Sequence, residues 1–234
     1  MARQARLVVP GLAHHVMLRG NAGQAVFRDD ADRHEYLAAL QQVAAANLVA
    51  VHGYALLDTS VHLLLTPAEG PALSRMIQAI GRRYVARFNQ RHRRSGTLWE
   101  GRFRAAVVEP GPPSLRCLCA IDHLAAAPVV DVEGLAQATA PDPLRSSAAH
   151  HLGLRRDGFL ADLPAYWQLG NTPFAREAAY RRLMQTGISD EQLDAVVRAA
   201  WQGKVIGSTA FVRRLSEQSS RPLQARPRGR PRAA

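Results

Sequence analysis

The chain has 234 residues, of which 30 are Lys or Arg and 19 are Asp or Glu, so its formal net charge is +11 at pH 7. Hydrophobic residues make up 47%, which is enough for one sizeable core and excludes a wholly disordered chain. The charge favours a polyanionic partner, with nucleic acid ahead of an anionic membrane surface. No long apolar run is present. We therefore expect no signal peptide, no membrane partner and a cytoplasmic protein, with association with the bacterial nucleoid as an option.

The positive charge is almost entirely arginine, since Lys204 is the single lysine. Arginine suits bidentate contacts to phosphate and guanine, although high genomic G+C content produces the same bias. A solvated basic surface therefore stays an alternative. The two cysteines, Cys117 and Cys119, lie two residues apart on a predicted helix. Their side chains should point apart, and no second Cys or His pair completes a zinc pattern.

The first part of the chain alternates strand and helix patterns. Residues 12–21 predict a strand ending at Gly20, and Asp29 or Asp30 is a candidate N-cap for the helix that follows. Two apolar runs within 49–67 are broken by Asp58-Thr59-Ser60, which predicts a β-hairpin. Further elements are a helix over about 71–92, a strand or extended loop over 98–110, and a helix over 112–128 stopped by Pro128. The order βαββαβα predicts an α+β domain with a mainly antiparallel sheet and packed helices, over 1–130.

The remaining chain divides into three parts. Residues 131–174 are poor in periodicity and predict a connector packed on the first domain. Residues 175–218 contain three helical patterns and predict a small C-terminal helical module. Its last two helices resemble a helix-turn-helix that would bring Arg213 and Arg214 to DNA, and a helical packing lid is the alternative.

The tail, residues 219–234, is rich in arginine and proline and contains no acid, so it predicts disorder. Its "PRGRP" stretch matches the centre of an AT-hook. In that motif Arg228 and Arg230 would lie in a narrow minor groove. A non-specific basic tail is the alternative.

The stretch "LLDTSVHLLLTP", residues 56–67, holds one histidine, His62, within an apolar run. A buried imidazole needs a hydrogen-bond partner, a metal or a reaction to perform. Taken alone, a satisfied core or sheet-edge histidine is the ordinary explanation.

Six segments in a fixed order change that balance. They are "PGLAHHVMLRGN", "VHLLL", "RRYVARFNQRHRRSGTLWEGRF", "SSAAHHLG", "GKVIGSTAFV" and the Gly-Arg-Pro-rich tail. Together they resemble the REP-associated single-tyrosine transposases of the His-hydrophobic-His superfamily, over nearly the whole chain. The resemblance implies a ferredoxin-like antiparallel sheet with packed helices, the single-tyrosine transposase fold. It also implies single-stranded or hairpin DNA as the partner and leaves a homodimer open.

The resemblance also implies a chemistry. In the family, two histidines in His-x-His spacing on the central strand bind a divalent cation, Mg²⁺ or Mn²⁺. A third ligand, Asn or Gln, follows a tyrosine by four residues on a helix. The cation polarises a scissile phosphate, and the tyrosine attacks it to form a 5′-phosphotyrosine link.

This chain departs from that pattern at most positions. His62 matches the second histidine, but Ser60 stands at the first, Ala127 at the asparagine and His123 at the tyrosine. His52 and Asp58, on the same predicted hairpin, are two further candidate metal ligands. We therefore expect no bound cofactor and a DNA-binding, transposase-like protein with impaired catalysis. The alternatives are an active transposase with rearranged residues and a His123 nucleophile, and an RNA-binding or regulatory protein on the same fold.

The predicted nucleic-acid surface consists of the basic helix and the segment after it. Trp99 or Phe103 would stack on an unpaired base, with a place in the core as the alternative. The predicted contacts are Arg82, Arg83, Arg87, Arg91, Arg93, Arg94, Trp99, Arg102 and Arg104, together with Arg213, Arg214, Arg228 and Arg230.

Overall fold

The structure, a computed structural model, describes residues 6–125, 129–130, 136–137 and 141–219. The first elements are β1 (Ala13–Arg19), α1 (Asp30–Ala46), β2 (Val49–Leu57), β3 (Ser60–Pro67), α2 (Ala72–Arg91), β4 (Arg104–Val108) and α3 (Pro112–Leu124). The strands form an antiparallel sheet in the order β2-β3-β1-β4. The predicted α+β, ferredoxin-like arrangement is confirmed.

The later elements are two short strands and five helices. They are β5 (Val129–Val130), β6 (Ala136–Gln137), α4 (Ala148–His151), α5 (Pro164–Trp167), α6 (Pro173–Thr186), α7 (Asp190–Gln202) and α8 (Thr209–Gln218). The tail from residue 220, with Arg228 and Arg230, and residues 126–128, with Ala127, lie outside the described residues. No helix in the described ranges is long and apolar enough to cross a membrane.

Local sequence signals fix several of these boundaries. Asp29 caps α1 by accepting from the Asp32 backbone N–H. Ser189 and Gln192 form a capping box at the start of α7, and Gly203 ends that helix in the left-handed conformation at φ 64°. The predicted helix 112–128 is shorter in the structure, since α3 ends at Leu124.

The two faces of the sheet are covered by different helices. Alternate residues of β3, such as Leu63, pack into the larger core with Tyr36 of α1 and Tyr84 of α2. On the opposite face, Leu64 packs with Leu118 and its neighbours on α3. On that same face, α7 covers β1 and β4 through a small cluster of Met17, Ala106 and Ala200. The face that carries His62 therefore lies beneath α3 and α7.

Both outer strands of the sheet pair with further chain. Beside β4, Ile206 forms a parallel bridge to Val108, and its N–H donates to the Val107 carbonyl at 2.8 Å. Beside β2, Leu160 bridges Val51 in parallel. A second bridge joins Ser146 to Ala55 in antiparallel fashion. The connector and the α7–α8 turn thus extend the sheet.

Candidate functional site

His62 lies at the centre of the sheet in a chain of three polar side chains. Its Nδ1 is 3.1 Å from Nε2 of His15 on β1, and its Nε2 is 3.3 Å from Oγ of Ser60. His15, His62 and Ser60 are all buried. The two strands are neighbours, but His62 pairs with Met17 in the register, so His15 reaches it diagonally.

Burial keeps both imidazoles neutral. It lowers the pKa of His15 to about 4, opposed in part by the nearby backbone carbonyl of Val196 on α7. It also lowers the pKa of His62 well below the ordinary value, and a charge on His15 would lower it further. Nδ1 of His15 is buried and has no hydrogen-bond partner among the described residues. The bond between the two rings uses one proton, carried either by Nε2 of His15 or by Nδ1 of His62, and the Ser60 hydroxyl completes the chain at Nε2 of His62.

These residues do not fit a divalent metal. The bond between the rings uses Nε2 of His15 and Nδ1 of His62, and the remaining nitrogen of His62 is bonded to Ser60. This leaves Nδ1 of His15 as the one ring nitrogen of the pair without a partner among the described residues. Mg²⁺ and Mn²⁺ require several oxygen or imidazole donors together. Within the described part of the chain, no group of three or more His, Cys, Asp or Glu side chains converges on a point that would hold a metal.

The other candidate donors are engaged elsewhere. His52 is bonded to the Ala161 carbonyl at 2.6 Å and to Oγ1 of Thr66 at 2.8 Å. Asp58, in the β2–β3 turn, pairs with Arg33 and lies 3.6 Å from Arg145. His52 therefore joins β2 to β3 and to the connector, and Asp58 joins the β2–β3 turn to α1 and to the connector.

His123, at the position of the family's tyrosine, lies in the last turn of α3 and is half-buried. Its Nδ1 donates to the Cys119 carbonyl, four residues earlier, at 3.1 Å. Cys117 and Cys119 are free, buried thiols, and burial raises the pKa of both.

A second buried polar network lies beside this face and was not predicted from the sequence. Asp122 of α3 is fully buried and accepts from Ser147 at 2.6 Å, from Tyr180 at 2.7 Å and from Nδ1 of His151 at 2.8 Å. Ser147 Oγ also accepts from the Tyr54 backbone N–H of β2. One carboxylate therefore ties α3 to the connector, α6 and the sheet, and burial beside it raises the pKa of Tyr180.

The basic helix α2 is partly neutralised by α1. Arg91 bonds to Asp29 and Asp32 at 2.6 Å, and Arg87 pairs with Glu35. Further polar contacts join Arg83 to Gln42 at 3.1 Å and Arg94 to the Thr97 carbonyl at 3.1 Å. Among the predicted contacts on and after α2, Arg82 and Arg93 are exposed and form no ion pair with a described residue.

The two predicted stacking residues lie against the larger core. Phe103 is buried, with the Arg6 guanidinium 3.8 Å from its ring centroid. Trp99 is half-buried, with ring centroids 6.2 Å from Tyr84 and 6.4 Å from Tyr36.

Arginines and one tryptophan lie near the Ser60 end of the sheet, and the tryptophan was not predicted from the sequence as a contact. Trp201 of α7 is half-buried, and the Arg104 guanidinium lies 4.8 Å from its ring centroid. Arg19, whose strand position pairs with Ser60, lies 5.8 Å from the same centroid. Arg102 follows in the exposed loop before β4. We call Arg19, Arg102, Arg104 and Trp201 the basic rim.

On α8, the predicted contacts Arg213 and Arg214 are exposed. Arg213 lies 4.0 Å from Glu217, and the Arg214 guanidinium lies 5.4 Å from the Phe211 ring centroid. Phe211 itself packs with Val107 of β4, so the apolar side of α8 faces the edge of the sheet.

The segment that forms the four-stranded sheet matches a known protein family. Residues 8–114 match the family model described as "Transposase IS200 like", and this span contains all four strands of the sheet. The resemblance expected from the sequence is confirmed over these residues, which are similar to the IS200-like transposases.

Two solved structures are similar to this chain. One is a REP-associated tyrosine transposase bound to a REP hairpin, with 14% identity and a TM-score of 0.51, covering 70% of this chain and 96% of that one. At this identity the likeness shows the fold alone. The other is a putative transposase from Deinococcus radiodurans R1, with 23% identity and a TM-score of 0.36, covering 46% of this chain and 87% of that one. No curated protein matches the sequence.

Proposed function

We propose that this protein binds single-stranded or hairpin DNA and does not cleave it by the tyrosine chemistry of its family. One observation carries the proposal: His62 is buried in a chain with His15 and Ser60 beneath α3 and α7. A phosphate and a cation would have to displace that packing to reach the imidazole. The tyrosine position holds His123, which has no hydroxyl to attack phosphorus.

The charge distribution supports DNA as the partner. The formal net charge is +11, and two arginines of the basic rim, Arg19 and Arg104, lie beside an indole. Guanidinium groups suit phosphate oxygens, and aromatic rings suit unpaired bases. A REP-associated transposase with the same fold has been solved with a REP hairpin. That complex supports a hairpin as the form of DNA, and the proposal includes a cytoplasmic location at the nucleoid.

Incubation of the full chain with hairpin-containing single-stranded DNA and Mg²⁺ or Mn²⁺ tests the proposal. We expect a native-gel shift and no covalent adduct after denaturation. An adduct in the wild type that disappears in His123→Ala would overturn the inactive assignment in favour of a histidine nucleophile. The RNA hairpin of the same sequence is the matched competitor, and tighter binding to it would make RNA the partner instead.

A further inference from the structure

A polar cavity of about 360 Å³ lies between the connector and α6, beyond the residues that match the transposase family. His150, Gly153 and Tyr166 form part of its wall. The charged residues that line it are Arg155, Arg156, Asp162, Arg176 and Glu177, and Trp167 adds an indole. We call this cavity the connector cavity.

The aromatic wall of the connector cavity is open to solvent. Trp167, at the end of α5, is 55% exposed, which is unusual for so large an apolar ring. One side of the indole is occupied by the Arg176 guanidinium, whose Cζ lies 4.0 Å from the ring centroid. The exposed part of the ring is available to a second planar group, which would bury it by stacking.

The cavity also holds a buried cation without a carboxylate partner. Arg176 is only 6% exposed, and its Nη1 donates to the Gly170 carbonyl at 3.1 Å. Within the described residues, no carboxylate oxygen lies within 4.0 Å of this guanidinium. Two acids, Asp162 and Glu177, also line the cavity. Oδ1 of Asp162 lies 3.5 Å from Nε2 of His150. A buried guanidinium that forms no ion pair favours an anionic ligand.

We infer that the connector cavity binds one unpaired nucleotide of single-stranded DNA that flanks the hairpin. The base stacks on Trp167, and the phosphate lies between the guanidinium groups of Arg176 and the exposed Arg156. The carboxylates of Asp162 and Glu177 accept from an exocyclic amino group, which favours cytosine over thymine. This inference rests on the proposed DNA binding and adds a second contact to it.

Fluorescence anisotropy with two hairpin oligonucleotides tests the inference. One hairpin is blunt, and the other carries a short single-stranded cytidine flank. We expect the wild type to bind the flanked hairpin about tenfold more tightly, the scale of one base–aromatic stack. Trp167→Ala should remove that gain and leave the affinity for the blunt hairpin unchanged. Phe174→Ala is the matched control, because Phe174 is 81% exposed nearby and does not line the cavity.

A second pair of variants tests how much positive charge at the connector cavity contributes to binding of the flanked hairpin. Arg156→Ala should weaken binding of the flanked hairpin several-fold, whereas Arg182→Ala, an exposed arginine on α6 outside the cavity, should not. Because Arg156 is exposed, this pair does not depend on the packing of Trp167. A thymidine flank should bind more weakly than a cytidine flank.

Each outcome separates this inference from the proposed function. Equal wild-type affinity for both hairpins, or equal losses in Trp167→Ala and Phe174→Ala, would overturn the connector cavity as a nucleotide site and leave hairpin binding intact. Equal binding of cytidine and thymidine flanks would overturn the role of the two carboxylates. Failure to bind either hairpin would instead overturn the proposed DNA binding.

Discussion

Nε2 of His15 lies 3.1 Å from Nδ1 of His62, so imidazoles from two neighbouring strands satisfy each other at the centre of the sheet. His15 belongs to the "LAHHVM" strand, 47 residues before its partner. The pair is completed by Ser60, at the position where the resemblance to the family would place the first metal-binding histidine. In this chain, a hydrogen-bonded chain of buried groups occupies that position.

The buried histidines predict a steep loss of stability in acid. Burial lowers the folded-state pKa of His15 and of His14 from 6.5 to about 4, and that of His62 in the same direction. Between pH 6.5 and 4 the unfolded chain binds protons that the folded chain does not, so the free energy of unfolding falls as the pH falls. At pH 5, His14 and His15 each account for a loss of about 2 kcal/mol in the free energy of unfolding. Urea unfolding at pH 7.5 and pH 5 measures the difference.

Two variants control this pH prediction. His15→Leu should give a shallower dependence of unfolding free energy on pH, whatever its absolute stability. His34→Gln, which changes an exposed histidine on α1, should keep the wild-type dependence. Identical pH dependence in the wild type and His15→Leu would contradict the buried, neutral pair.

The Asp122 network predicts a large stability effect from one side chain. Asp122→Ala would leave Ser147, His151 and Tyr180 without their shared acceptor inside the core. We expect a loss of about 3 kcal/mol or more in urea unfolding. Tyr180→Phe removes a single donor and should cost about 1 kcal/mol. Glu217→Ala, at an exposed ion pair, should change little, and an equal loss there would count against the network.

The contact of α7 with the sheet predicts that a charge at Ala200 is not tolerated. Ala200 is fully buried against Met17 and Ala106. Ala200→Asp should lower the unfolding free energy by about 3 kcal/mol or more, because the carboxylate has no partner there. Ala195→Asp adds the same group on an exposed part of α7 and should be nearly neutral. Similar melting temperatures for the two variants would show that α7 does not cover the sheet in solution.

The arginines should separate into two classes in DNA binding. Arg104 lies in the basic rim and forms no ion pair with a described residue, so Arg104→Ala should weaken DNA binding. The slope of log affinity against log salt should also fall by about 0.7 for single-stranded DNA. Arg91 is held by Asp29 and Asp32, so Arg91→Ala should lower thermal stability and leave the salt slope unchanged. A fall in slope for Arg91→Ala alone would reverse this assignment.

The order of elements could be predicted because each follows from local periodicity and caps. The hairpin break at Asp58-Thr59 and the capping box at Ser189 are signals within a few residues. The diagonal contact between His15 and His62 depends on the register of two strands, which local patterns do not fix. The convergence of Asp122 with Tyr180 depends on how α6 packs, which sequence spacing cannot give. The place of Trp201 beside Arg19 and Arg104 depends on how α7 packs on the sheet, which local patterns do not fix either.

The pairing of both outer strands has a consequence for self-association. An unpaired edge strand offers a row of backbone donors and acceptors on which a second chain can add a strand, by ordered dimerisation or by aggregation. Here Ile206 occupies part of the β4 edge, while Leu160 and Ser146 occupy part of the β2 edge. The chain thus covers part of both edges of its sheet with its own later segments. A second copy would have to displace one of them to continue the sheet, so any homodimer of this fold is expected to form through helices or loops.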